Sequence, residues 1–210
     1  MKSNGYYNTL QNLTENFVNI FLLNKGFKSF RNNLENITDV DLIVNSKKVD
    51  VQFSQNFSKY GDIRIDVISA AQVGRNAHSH PYKFLNEIEK RRNIKVLKAG
   101  KYFNEGYADY VIYLLYNNKI SGVNSINLPD YILLLNVDEI LYYINLYAEK
   151  LAERVIINDK TSNGIYEEHI SAFLPMNLDK LKNMLNNFSL YKRYNNEFKL
   201  CSTKDFKDFL

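Results

Sequence analysis

The sequence predicts an α/β fold: a mixed β-sheet core flanked by helices, with a small C-terminal extension. Three observations carry this. Apolar residues recur at helical spacing near the N-terminus. Two short runs rich in β-branched and aromatic residues follow, joined by a polar turn. Later come two longer apolar runs, the second leading into an amphipathic helix. At 210 residues the chain has room for one sizeable core. The pattern predicts a core over 1–153 and an α+β extension over 154–210 packed on the same domain.

The elements justify themselves in order. Leu10, Leu13, Phe17, Ile20 and Phe21 share one helical stripe, and Gly26 stops the helix. A second strip, Val18 and Leu22, falls three and seven residues after Glu15, so Glu15 is in line with apolar positions. Leu42-Ile43-Val44 and Val49-Asp50-Val51-Gln52-Phe53 read as two strands joined through Asn45-Ser46-Lys47-Lys48. From Asp62, acids and Arg64 alternate with Ile63, Ile65 and Val67, a third strand with one polar face. A helix is expected over 82–92. The run 108–116 reads as a buried central strand, too short to cross a bilayer as a helix. Another strand covers 132–137, with a helix over 138–153 behind it. Weaker signals follow: a strand at 155–157, a short element at 167–173, and a helix over 178–188 opened by Asn177. The tail 190–199 interleaves Tyr191, Tyr194 and Phe198 with Lys192, Arg193 and Lys199. That mixture suits nucleic acid, through phosphate contacts and base stacking, or an element packing its rings on the core.

Composition excludes several classes. With 27 Lys and Arg against 23 acids, the chain is mildly basic, which permits nucleic-acid binding without demanding it. A single cysteine, Cys201, rules out an internal disulfide framework and suits a reducing, cytoplasmic compartment. There is no signal-peptide core, membrane span, glycine-rich phosphate loop or zinc-finger spacing. His78 and His80 lie in the polar loop 74–81 without a third histidine or a cysteine close by, so a transition-metal site there is not expected.

The chemistry concentrates on the hairpin. Side chains alternate along a strand, so Val49, Val51 and Phe53 point one way while Asp50 and Gln52 point the other. Twist can bring Asp41, at the head of the first strand, near Asp50. Two carboxylates beside an amide form the oxygen-rich surroundings that Mg²⁺ prefers. The plain alternative is an amphipathic hairpin with two acids on its wet face.

Helix with an inward Glu15, glycine stop, loop, Asp41, hairpin, Asp50-x-Gln52: in this order the chain resembles the PD-(D/E)xK nuclease superfamily, which contains many restriction endonucleases and the archaeal Holliday-junction resolvases. Its motif residues fall between Glu15 and Gln52; the rest agrees in strand and helix order. The resemblance implies a restriction-endonuclease-like sheet. It matches Asp41 to the family's first acid, Asp50 to its second, Gln52 to its usual lysine and Glu15 to its helix acid. Two positions depart from the pattern. Val40 stands where proline is common, and Gln52 replaces a cation with a neutral amide. Some active restriction enzymes of this family similarly carry Gln there.

What the resemblance implies is a metal-dependent endonuclease acting on DNA and leaving 5′-phosphate ends. Asp41, Asp50, Glu15 and the Val51 carbonyl would hold Mg²⁺, with Mn²⁺ able to substitute, and Gln52 would position water or phosphate. Lys48, Lys59, Arg64 and Arg75 are the candidate nucleic-acid contacts. Arg64 enters on the expectation that the third strand lies beside the second. A homodimer fits cutting of two strands. The competing reading is a catalytically inactive nuclease-fold subunit for DNA binding or assembly, with Gln52 as its support.

Overall fold

The computed structural model describes residues 3–32, 40–57, 62–74, 80–120, 128–160 and 169–210. Lys59, Arg75 and His78 lie outside them. In chain order the elements are α1 (Ser3–Asn24), β1 (Ser29–Arg31), β2 (Leu42–Val44), β3 (Lys47–Ser54), β4 (Asp62–Val73), α2 (Lys83–Arg92), β5 (Ile94–Ala99), β6 (Tyr110–Leu115), β7 (Tyr131–Asn136), α3 (Val137–Leu146), α4 (Ala148–Ala152), β8 (Ile156–Lys160), β9 (His169–Asn177), α5 (Leu178–Met184), β10 (Phe188–Tyr194) and β11 (Glu197–Leu200). The protein is α/β, as its patterning predicts. Among the described residues no helix is long and apolar enough to cross a membrane.

The chain divides into two compact units, 1–61 with 108–137 and 185–210, and 62–107 with 138–184. This differs from the boundary expected at 153/154. The last strands belong to the first unit because β10 pairs with β7, an attachment that no local signal announces.

In the first unit a seven-stranded sheet runs β1-β2-β3-β6-β7-β10-β11. Only β3 and β6 are parallel, which requires a long crossover; the chain between them carries β4, α2 and β5. As expected, β6 is the buried central strand. Helix α1 packs Leu10, Val18 and Leu22 into a core with Val49 and Val51 of β3, Ile112 and Leu114 of β6 and Tyr191 of β10. It ends as Gly26 predicts: Gly26 takes φ +88°, its N–H donates to Leu23 O (3.0 Å), and Phe27 N–H donates to Leu22 O (3.1 Å).

The hairpin turn is tighter than expected. It has two central residues, Asn45 and Ser46, both at positive φ, so Lys47 and Lys48 belong to β3. Asn tolerates that conformation, and here its Oδ1 also accepts from Lys28 N–H at 3.0 Å. The resulting register sets Leu42 opposite Val49.

Burial, with the Asp130 carboxylate second, pushes the Tyr116 phenol up to about 12. A group whose pKa rises on folding stabilises the fold fully below its unfolded value, near 10.0. That contribution should be lost as pH climbs from there through about 12. Urea midpoints measured across this window should fall for the wild type and fall less for Tyr116→Phe.

In the second unit an antiparallel sheet runs β5-β4-β9-β8. Strand β4 shows the expected alternation, with Ile63, Ile65 and Val67 buried and Arg64 and Asp66 exposed. Its placement corrects the sequence reading. β4 pairs with β5 and β9, whereas β3 has β2 and β6 as neighbours. The expected helix over 138–153 is broken at Tyr147 into α3 and α4. The helix opened by Asn177, whose Oδ1 accepts from Asp179 N–H (3.1 Å), stops at Met184, and Phe188 instead begins β10.

Candidate active site

The β2–β3 ladder ends at the pair Leu42–Val49, and β3 runs on beside β6 without a β2 partner. Asp41 closes that gap, since its Oδ2 accepts the Val51 N–H at 2.6 Å. The carbonyl of the same residue accepts two amides, Gln52 Nε2 and Gln11 Nε2, each at 3.0 Å. Gln52 Nε2 also donates to Asp50 Oδ2 at 2.9 Å. So the Asp50 carboxylate and the Val51 carbonyl converge on one nitrogen, and the Asp41 carboxylate lies against the N–H of the same residue, Val51.

The alternation expected for β3 holds. Val49 and Val51 enter the core with α1, and Phe53 packs against it. The opposite face is not wet at Asp50, which is only 1 % exposed, in register with buried Val111. A carboxylate in such a place is costly unless hydrogen bonds or a cation compensate it. That removes the plain alternative of two acids on a solvated surface.

Glu15 is buried on α1, and its carboxylate pairs with the Arg31 guanidinium, which also donates to Asn12 Oδ1 (2.8 Å) and Asn16 Oδ1 (3.1 Å). Lys48 is exposed on β3, two residues before Asp50, and its backbone N–H donates to Asp109 Oδ2 at 2.7 Å. Asp109 therefore ties the head of β6 to the start of β3, its own N–H donating to Lys48 O at 2.9 Å. Arg64 does not lie on a strand beside β3: it belongs to the other sheet, with its guanidinium 4.7 Å from the Phe173 ring centroid. Lys59 and Arg75 lie outside the described residues.

Two participants went unread in the sequence. Gln11 stands four residues before Glu15, hence on the same helix face, and that spacing was the available signal. Arg31 could be placed against Glu15 only once β1 was known to lie along α1. Among the described residues no three His, Cys, Asp or Glu side chains gather into a metal-holding group. The oxygen donors at hand are two carboxylates and one carbonyl, a set that suits a hard divalent cation completed by water.

Comparison with known protein families, with curated proteins and with solved structures gives no match for this chain.

Proposed function

We propose that the protein is a metal-dependent endonuclease hydrolysing phosphodiester bonds in DNA, built on a restriction-endonuclease-like core in its first unit. The observation that carries this reading is the meeting of Asp41, buried Asp50 and the Val51 peptide where β2 ends beside the central strands. Asp41, Asp50 and the Val51 carbonyl would hold Mg²⁺ or Mn²⁺, while Glu15 stays paired with Arg31. When bound, the ion supplies Lewis acidity, lowering the pKa of a water and offsetting charge on the phosphate. The protein's own groups do the rest. Asp50, shielded from bulk water, keeps its carboxylate oriented through the Gln52 amide. With Nε2 committed to Asp50 and the Val51 carbonyl, Gln52 offers its amide oxygen to accept from the attacking water, a neutral group in the lysine's place. Lys48 contacts the backbone of the DNA nearby. The single cysteine agrees with a cytoplasmic setting.

A second reading has its own observation. The Gln11 and Gln52 amides both donate to Val51 O, and Glu15 is paired with Arg31, so the site satisfies much of itself. That is what a retired centre in a DNA-binding or assembly subunit would look like. Plasmid, linear, branched and single-stranded substrates incubated with Mg²⁺, Mn²⁺ or EDTA separate the two. Cutting with metal and none in EDTA is expected. A protein that binds these substrates and cuts none under either metal ends the nuclease reading.

A further inference from the structure

The interleaved tail is sorted by the fold into two faces. Tyr191 is 2 % exposed in the core, its ring edge-on to Phe21 and Phe206, and Phe198 packs against Phe17 and Phe21 of α1. Arg193 is committed to Asp130, whose Oδ1 accepts from Nη2 at 2.8 Å. What remains outside is Tyr194, 47 % exposed, with two lysines. Lys192 and Lys199 stand directly opposite each other across β10 and β11. Their ammonium groups lie 5.4 Å and 5.7 Å from the Tyr194 ring centroid, and Lys192 is also 5.9 Å from that of Tyr131.

Like charges facing each other across a hairpin oppose one another. Here the partners of both lysines are rings rather than carboxylates. Glu197, opposite Tyr194, is the nearby acid in the ladder and leaves the group net positive. An anion would relieve the repulsion, and a flat ligand would find the exposed ring. A polymer with phosphates about one strand spacing apart and planar bases between them offers both.

We propose that the β10–β11 hairpin binds single-stranded nucleic acid, stacking a base on Tyr194 while Lys192 and Lys199 take successive phosphates. The proposal rests on the reading that this chain handles nucleic acid and locates a contact surface for it, using residues that the cleavage chemistry does not need.

The test is fluorescence anisotropy with a labelled oligothymidine of about 15 nucleotides, a length at the scale of small single-strand sites, in EDTA so that no cutting intervenes. Tyr194→Ala should weaken binding about tenfold, the loss of one stacked base, and Tyr194→Phe should stay within about twofold because the ring remains. The double variant Lys192→Ala/Lys199→Ala should reduce the slope of log affinity against log salt by about 1.4, for two phosphates on a single strand. These positions are on the surface, so thermal melts should match the wild type. Unchanged binding in Tyr194→Ala overturns the proposal. So does lysine-dependent binding indifferent to the ring, which marks a generic anion surface. Ring-dependent binding by a protein that never cuts upholds this surface and ends the nuclease reading; cutting without any effect of Tyr194 does the reverse.

Discussion

Asp50→Asn is expected to cut plasmid at least about a thousandfold more slowly than wild type in Mg²⁺, the scale of losing a ligand to a catalytic metal. The substitution is nearly isosteric, and the new amide oxygen still accepts from Gln52 Nε2, so the site keeps its shape. What disappears is the negative charge. Because that carboxylate is 1 % exposed, neutralising it removes a buried charge, and the melting temperature should equal or exceed that of the wild type. Activity and stability moving in opposite directions is the signature of a functional acid. Equal cutting by Asp50→Asn and wild type would remove the hairpin from the mechanism. Gln52→Lys sharpens the result: if only that variant cuts, the natural chain kept the pocket and lost its chemistry.

Gly100→Ala should be the most damaging small substitution in the second unit. The Gly100 N–H donates to Val67 O at 2.9 Å, which draws its backbone against β4. A methyl group at this position would fall 1.9 Å from Asp66 O and 2.6 Å from Asp66 C. Backbone cannot swing aside as a side-chain tip would. The cost should reach about 3 kcal/mol, equivalent to a fall of about 6–12 °C in melting temperature for a chain of this size. Calorimetry reads it directly. A shift under about 1 °C would mean that β4 and the start of the following turn separate without penalty.

Local pattern reached far into this fold. The Gly26 stop, the β2–β3 alternation and the buried runs of β6 and β7 were all legible, because each depends on periodicity or on one residue's backbone freedom. The α1 stripe was legible only in part: Leu10, Phe17 and Phe21 join the core, whereas Leu13 and Ile20 are exposed and the second strip, Val18 and Leu22, supplies the buried face. Element ends were less so. Phe188 continues a helical stripe with Leu178, Leu181 and Leu185, yet it enters β10, where pairing with Leu135 of β7 decides its conformation. Tyr147 sits within an amphipathic run and nevertheless interrupts it.

At the site, the sequence by itself determined the residue types and their faces: Asp50 and Gln52 on one side of a strand, Val49 and Val51 on the other. That follows from a period of two and needs no tertiary information. Tertiary structure decided the rest. It ended β2 one pair short of Asp41, freeing that carboxylate for the Val51 N–H, and it brought Gln11 to the Val51 carbonyl. It set Asp50 in register with Val111 and so buried it, and it assigned β4, with Arg64, to a different sheet. Which strand pairs with which is fixed by contacts between residues far apart in the chain, and hydrophobic alternation is the same for every partner that offers an apolar face.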